Sequence, residues 1–137
     1  MREADFSERI KTVLCERVGG RCSNPKCRRE TLGPHKKVDK RLSIGQAAHI
    51  YAASPDGARY DPRMTNEERA SINNGIWLCS DCHALIDKNS KEYPAEELIK
   101  WKIIAEHEQE CRLKGKELVP FQSQQMERKR EALKQVK

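Results

Sequence analysis

Near its middle the chain reads Asn74-Gly75-Ile76-Trp77-Leu78-Cys79-Ser80-Asp81-Cys82-His83-Ala84-Leu85-Ile86-Asp87. The turn residues at the start lead into a short apolar run over residues 76–78, which is typical of a strand. Two cysteines separated by two residues follow at once, and residues 83–87 suit a helix of one or two turns. The stretch therefore predicts a strand, a pair of clustered thiols and a helix in immediate succession.

The two cysteines of this stretch, Cys79 and Cys82, follow an earlier pair, Cys22 and Cys27, after an interval of 51 residues. Each pair fits in one tight turn and presents two thiolates from one side. Together the pairs complete the four-sulfur shell that Zn²⁺ prefers in structural sites, with no open position for chemistry. A redox role for the later pair is the alternative, but no βαβ pattern surrounds it. We expect a structural zinc ion whose removal unfolds the domain.

The composition indicates a small, polar domain. Hydrophobic residues make up 36% of the 137 residues and aromatic residues 5%, so the core is thin and benefits from a metal. No run approaches the ~18 apolar residues of a membrane-spanning helix, and the first residues lack the apolar stretch of a secretory signal. We therefore expect a cytoplasmic protein without membrane contact, in which cysteines are more often metal ligands than disulfides.

The positive charge of the chain is concentrated in one segment. The full sequence carries 27 basic and 21 acidic residues, a formal charge of +6. Residues 21–41 hold eight of the basic residues against two acidic ones, which accounts for the whole excess. Such a segment is typical of contact with a polyanion, because neutralised phosphates release counterions. The alternative is a solvated loop that its lysines keep soluble.

The pattern of apolar residues, caps and breakers predicts one α+β domain over residues 1–119. Residues 21–42 are rich in turn formers and are expected to be a loop. A charged tail over residues 120–137, helical or disordered, follows the domain and offers a surface for a homodimer or a regulatory partner. The predicted elements are helices over residues 5–18, 66–72, 83–87 and 94–114 and strands within residues 42–50 and 76–78.

Four polar residues lie at the ends of these elements. His49 ends the first predicted strand, and Asn74 lies at the entry to the second. His83 and Asp87 are four residues apart, so on a helix they share one face and can bind one cation. Because zinc would hold both strands and the helix together, we expect all four side chains to gather in one small cleft.

These motifs resemble those of HNH nucleases of the ββα-metal (His-Me finger) superfamily, in the subtype with a four-cysteine zinc site. The resemblance covers about residues 21–87 and includes the paired cysteines, a histidine followed by Ile, an Asn five residues before the third cysteine and a histidine directly after the fourth. The run over residues 45–61 is similar to small bacterial HNH proteins, several of which belong to anti-phage defence systems. The resemblance implies a ββα-metal core with flanking helices.

The resemblance also implies a role for each polar residue. The first motif histidine, His49, would be the general base that deprotonates the attacking water. Asn74 would hold the loop that orients this histidine or approach the metal, with Asn73 as the close alternative. His83 would bind the catalytic divalent cation, Mg²⁺ or Mn²⁺, and Asp87 would supply another ligand.

One position departs from the pattern of the family. Many relatives carry Asp or His directly before the base, as a metal ligand, whereas this chain has Ala48. His83 and Asp87 would then be the remaining protein ligands, and the cation would be loosely held and mostly hydrated. Mg²⁺ tolerates such a site because it keeps several waters and uses substrate phosphate as a further ligand.

Basic residues are expected to contact the nucleic acid. Arg59, in the loop beyond His49, is a candidate phosphate contact, and four residues of the basic segment are candidates for following the backbone: Lys36, Lys37, Lys40 and Arg41. Double-stranded DNA is the expected substrate, and the sequence leaves RNA open. The alternative function is a zinc-knuckle module without catalysis that binds nucleic acid or a protein.

Overall fold

A computed structural model describes residues 3–119 and 122–135. It confirms a mixed fold of helices and small antiparallel sheets with helices on both flanks. In chain order the elements are α1 (Glu8–Arg17), β1 (Leu32–Pro34), β2 (Arg41–Ser43), β3 (Gly45–His49), α2 (Asn66–Arg69), a 3₁₀ turn (Ile72–Asn74), β4 (Gly75–Cys79), α3 (Ser80–Lys88), α4 (Ala95–Leu113) and α5 (Ser123–Gln135). Within the described ranges, no helix has both the length and the apolar character needed to cross a bilayer.

The centre of the fold is the antiparallel hairpin of β3 and β4. Its register pairs Gly45 with Cys79 and His49 with Gly75. Because side chains alternate along a strand, the hairpin has two distinct faces. One face packs against α3 and α4 through a cluster that includes Ala48, Leu78 and Ile86. The other packs against α1 through Trp77, with Ala47 alongside.

Gly75 marks the α1 face of this hairpin. A Cβ atom at this position would lie 2.4 Å from Leu14 Cδ1 and 3.2 Å from Phe6 Cζ. The strand can therefore approach α1 closely only because position 75 has no side chain. Since His49 is the cross-strand partner of Gly75, its side chain leaves the hairpin toward α1 and the residues before it.

The segment predicted as a basic loop contains a second hairpin. β1 and β2 pair antiparallel, with Leu32 opposite Ser43 and Pro34 opposite Arg41. The single strand predicted within residues 42–50 is therefore wrong, because the chain breaks at Ile44 and its two halves belong to different sheets. We call residues 32–43 the ribbon.

The helix boundaries follow local capping chemistry. α1 begins at Glu8, since Ser7 Oγ accepts the Ile10 amide at 3.2 Å. Thr65 and Glu68 form a capping box at the start of α2, but the helix predicted over residues 66–72 ends at Arg69 and a 3₁₀ turn follows it. Pro94 is the N-cap of α4 rather than its first residue. Cys15 of α1 is buried, with 7% of its surface exposed.

The predicted tail contains α5, which lies against α4. Arg130 of α5 forms an ion pair with Glu96 of α4. Part of the predicted tail, residues 120, 121, 136 and 137, lies outside the described residues. The homodimer and the regulatory partner suggested for this tail stay predictions.

Candidate metal centre and active site

The four predicted zinc ligands meet in one cluster. The sulfur atoms of Cys22, Cys27, Cys79 and Cys82 all lie within 4.8 Å of one another. A tetrahedral site with Zn–S bonds of ~2.3 Å separates its sulfurs by about 3.8 Å, and Cys27 Sγ lies 3.9 Å from Cys79 Sγ. This spacing is far longer than the ~2.05 Å of a disulfide. The donor set and its spacing therefore fit a structural zinc ion.

Neighbouring groups hold the cysteines in place. Asn24 Nδ2 donates to Cys82 Sγ at 3.4 Å, and the Cys82 amide donates to Cys79 Sγ at 3.4 Å. The Ser23 amide, beside the first cysteine, donates to the Trp77 carbonyl of β4 at 3.0 Å. These contacts join the earlier cysteine knuckle to the central hairpin, so the ligand geometry is built by the fold.

The thiols of the cluster differ in acidity. Burial raises the pKa of Cys22 to about 11 and raises that of Cys82 further. Burial acts on Cys79 in the same direction, but hydrogen bonds from the Cys82 amide and the neighbouring thiols hold its pKa below the ordinary value. Four buried thiolates would repel one another without a cation, and a divalent ion removes that cost.

His83 and Asp87 form a second, more open pair on α3. His83 Nε2 lies 3.3 Å from Asp87 Oδ2, and the side chains are 31% and 50% exposed. His83 Nδ1 donates a hydrogen bond to Gln46 Oε1 of β3, which fixes the orientation of the ring and leaves Nε2 facing the carboxylate. Imidazole nitrogen and carboxylate oxygen suit a divalent cation, so the pair fits the predicted site.

The second site has fewer protein ligands than the first. In the described part of the chain, the four cysteines are the sole group of three or more ligating side chains close enough to share an ion. Ala48, at the position where relatives carry a ligand, is 2% exposed and packs in the same apolar cluster as Ile86. This placement agrees with a cation held by His83 and Asp87 alone.

Asn74 clamps the backbone directly after His49. Its Oδ1 accepts the Tyr51 amide, and its Nδ2 donates to the carbonyls of Tyr51 and Arg69, each at 2.9 Å. Its own carbonyl accepts the Ile50 amide at 2.9 Å. Asn74 has 5% of its surface exposed and holds this loop through its own side chain, and its role in orienting His49 for catalysis stays a prediction.

His49 contacts the N-terminal segment. Its Nε2 donates to the Ala4 carbonyl at 2.7 Å, and its ring stacks on Phe6 with centroids 3.9 Å apart. Its side chain points to the α1 face, whereas Gln46 and its partner His83 lie on the other face. The expectation that the four polar side chains gather in one cleft is therefore met only for His83 and Asp87, because strand alternation separates His49 from them.

Arg59 links the backbone directly after β3 to α3. Its Nε donates to the Ile50 carbonyl and its Nη1 to the Ile86 carbonyl, both at 2.9 Å, and Nη2 lies 3.4 Å from Asp87 Oδ1. The side chain is 6% exposed, and burial lowers its pKa against the effect of Asp87. These contacts favour a positioning role over the predicted contact with phosphate.

Half of the basic residues of the segment over residues 21–41 lie in the ribbon. Two arginines of the segment are engaged by acids, Arg28 with Glu108 at 2.8 Å and Arg29 with Asp81 at 3.5 Å. The four residues predicted to follow the nucleic-acid backbone all lie in the ribbon and are exposed: Lys36, Lys37, Lys40 and Arg41. Their charges therefore project from one small element.

Two contributors to the site, Gln46 and Ala4, went unnoticed at the level of sequence, and a third, Arg59, was predicted in a different role. Gln46 shares a strand face with position 48, so alternation was the signal that pointed to it. Ala4 acts through its backbone carbonyl, which no residue type reveals. The role of Arg59 depends on contacts with the carbonyls of Ile50, Ile86 and Tyr93, which lie in separate parts of the chain and leave no local pattern.

Comparison with known families adds one finding. The model of a family described as HNH endonuclease matches residues 21–90, slightly more than half of the chain. The match includes both cysteine pairs, the central hairpin and α3. No curated protein matches the sequence.

Proposed function

The chain belongs to the HNH endonuclease family, and from that premise we propose that it is a metal-dependent endonuclease of DNA. His49 serves as the general base, and His83 and Asp87 hold the divalent cation. Nuclease activity in general follows from the family, whereas the substrate and these residue roles are the content of the proposal.

One observation carries the assignment of the site. Arg59 spans from the Ile50 carbonyl, next to His49, to the Asp87 carboxylate. One arginine side chain therefore joins the backbone directly after His49 to the Asp87 carboxylate, although the His49 ring lies on the opposite face of the hairpin from His83. A phosphodiester at this end of the hairpin can meet a proton acceptor on one side and a cation on the other.

The residues of the chain would divide the reaction between them. An imidazole of ordinary acidity, pKa ~6.5, accepts a proton from water at neutral pH without being permanently charged. In His49 the Ala4 carbonyl orients the ring, and Asn74 fixes the backbone that follows. A bound Mg²⁺ or Mn²⁺ would stabilise negative charge on the phosphoryl and leaving oxygens.

Two protein ligands imply weak cation binding. Mg²⁺ keeps most of its water in such sites and completes its shell with substrate phosphate. We therefore expect activity at millimolar metal, with Mn²⁺ effective as well. The similarity to small bacterial HNH proteins of anti-phage defence supports foreign DNA as the biological target.

A plasmid-nicking assay tests the proposal. Zinc-loaded protein is given supercoiled DNA with Mg²⁺ or Mn²⁺, and duplex DNA, single strands and RNA are compared in parallel. His49→Ala should lower cleavage by about 10²- to 10⁴-fold, the usual contribution of a general base. His107→Ala is the matched control, since His107 contacts the Val119 carbonyl of the C-terminal segment, and it should cleave normally.

Two results would overturn the assignment. Folded, zinc-loaded protein that cleaves no nucleic acid with any divalent cation would favour the non-catalytic zinc module. Cleavage that survives His49→Ala at the wild-type rate would leave the nuclease in place and remove this residue from its role.

A further inference from the structure

We propose that the ribbon, residues 32–43, enters the major groove of B-form duplex DNA and holds the substrate beside the hairpin of β3 and β4. The inference rests on the proposed function, since it takes nucleic acid as the substrate, and it deepens that function by selecting DNA duplex over RNA duplex. It is carried by the exposure, charge, dimensions and anchoring of the ribbon.

The ribbon is uncovered on both faces. From Leu32 to Ser43 every residue is exposed except Gly33, which is intermediate. Val38, at the tip, is 103% exposed, and Leu32 and Leu42 are 46% and 52% exposed. A two-stranded hairpin of this length is at best marginally stable in water, so its apolar residues point to a binding partner.

The charge of the ribbon selects a polyanion. It carries Lys36, Lys37, Lys40 and Arg41 against the single acid Asp39, a net charge of +3 over twelve residues. Among the described residues, none of these four basic side chains has an acidic partner within ion-pair distance. Unpaired basic side chains on a projecting element are free to neutralise phosphates on both sides of a groove.

The dimensions of the ribbon match one groove and not the others. Paired strands lie ~4.8 Å apart, so a two-stranded ribbon with side chains fills the B-DNA major groove, ≈12 Å wide, and exceeds the minor groove, ≈6 Å wide. Three residues of strand extend ~10 Å, which is comparable with the groove depth of ≈8.5 Å. The major groove of A-form RNA is too narrow for side chains to read.

The base of the ribbon is fixed to the core that carries the cysteine cluster. The Ile44 amide donates to the Thr31 carbonyl at 2.8 Å, and the Thr31 amide donates to the Gly20 carbonyl at 2.9 Å. Trp77 Nε1 of β4 donates to Thr31 Oγ1 at 3.0 Å. These hydrogen bonds therefore fix the direction in which the ribbon projects from the core before DNA binds.

The ribbon also lies close to the reactive groups along the chain. A single residue, Ile44, separates β2 from β3, and its carbonyl accepts the Ser80 amide of α3 at 2.9 Å. The eight residue steps from Arg41 to His49 span at most ~27 Å when extended, which is less than the ~34 Å of one DNA turn. Ribbon contacts and the cut should therefore fall within one helical turn.

Fluorescence anisotropy tests the inference without requiring cleavage. Full-length zinc-loaded protein is titrated, with no added Mg²⁺ or Mn²⁺, into a labelled DNA duplex of about two helical turns. The triple variant Lys36→Gln, Lys37→Gln, Lys40→Gln should weaken binding tenfold or more. The slope of log affinity against log salt should fall by about 0.9 for each phosphate that the variant no longer neutralises.

A charge-matched variant separates position from net charge. Lys100, Lys116 and Lys129 are exposed residues outside the ribbon, and their replacement by Gln removes the same charge. This control should change affinity by less than about threefold and leave most of the salt slope intact. Equal effects of the two triple variants would overturn the proposal, because binding would then follow overall charge.

Competitors identify the groove and the duplex. Methyl green, which occupies the major groove, should displace the protein, whereas netropsin, which occupies the minor groove, should not. An A-form RNA duplex should compete poorly. Displacement of the protein by netropsin but not by methyl green would overturn the proposal. Equal competition by the RNA duplex would overturn it as well.

The outcomes also separate this inference from the proposed function. Ribbon-dependent binding to DNA without cleavage would refute the nuclease assignment and keep the ribbon. Cleavage that depends on His49, with binding unchanged by the ribbon substitutions, would refute the DNA-binding role of the ribbon and leave the nuclease assignment intact.

Discussion

The two candidate cation sites of this molecule are built in opposite ways. At the cysteine cluster the chain supplies all four ligands, and Cys22, Cys79 and Cys82 are exposed by at most 7%. At the proposed second site the side chains of His83 and Asp87 are 31% and 50% exposed, so a cation bound there would take most of its coordination shell from water and substrate. The first site therefore suits an ion that stabilises the fold, and the second an ion that enters and leaves with the reaction.

The largest expected effect tests the closed site. Cys79→Ser removes one of four zinc ligands and should abolish the cooperative unfolding transition at ordinary temperature, because zinc binding and folding are coupled. Zinc content and the thermal melt, followed by circular dichroism, measure the change. Cys111→Ser, at a cysteine outside the cluster, serves as control and should keep one zinc ion per chain. A Cys79→Ser protein with the same melting temperature as wild type would contradict the structural role of the cysteine cluster.

The second expected effect tests the open site. Asp87→Asn should lower cleavage by at least tenfold at limiting metal and should leave zinc content unchanged, since the carboxylate belongs to the cation pair. High Mn²⁺ should restore part of the rate because the missing ligand weakens cation binding. The readouts are a metal titration of cleavage and the thermal melt. Loss of folding instead of activity would show that Asp87 acts mainly through its contact with Arg59.

A smaller effect is expected at the group that supports His83. Gln46→Leu removes the acceptor for His83 Nδ1, and removal of such an outer hydrogen bond typically costs 10- to 100-fold in metal affinity or activity. The Mn²⁺ concentration for half-maximal cleavage should rise, with the maximal rate nearly restored at saturation. An unchanged metal dependence would mean that the hydrogen bond does not orient the ring for a cation.

The smallest effect concerns a buried charge network that touches neither metal site. Glu106 is placed between Arg17 at 2.6 Å and Lys102 at 3.5 Å. Burial raises the pKa of this carboxyl, but the hydrogen bond from Arg17 and the charge of Lys102 outweigh burial and lower it. The stability it contributes is therefore present above pH ~4.5 and is lost as pH falls through the lower folded value.

Glu106→Gln measures this contribution. The variant should lose about 1–3 kcal/mol of stability at pH 7, typical for a broken charged hydrogen bond, and should show a weaker pH dependence between pH ~5 and ~3. Denaturant titrations across this range provide the measurement. Zinc content should stay at the wild-type level, and a loss of zinc would contradict the independence of this network from the closed site.

The parts of the fold that sequence could predict are those with local signals. Cysteine spacing predicted the cluster, and the interval of four residues placed His83 and Asp87 on one helix face. The ribbon gave no such signal, because its strands have three residues each and are exposed on both faces, so apolar alternation is missing. The contact of His49 with Ala4 depends on packing between residues 45 positions apart, and only the assembled fold brings them together.

Ile44 is the single residue that connects the ribbon to the hairpin of β3 and β4. Its amide and its carbonyl are both hydrogen bonded. A displacement of β2 would therefore also displace β3. On the two proposals above, DNA binding by the ribbon and cleavage at the hairpin of β3 and β4 would be coupled through this residue, and lengthening the chain here would uncouple them. A protein with one glycine inserted after Ile44 should still bind DNA and still activate water. The distance along the DNA between the ribbon contacts and the cut should, however, become more variable.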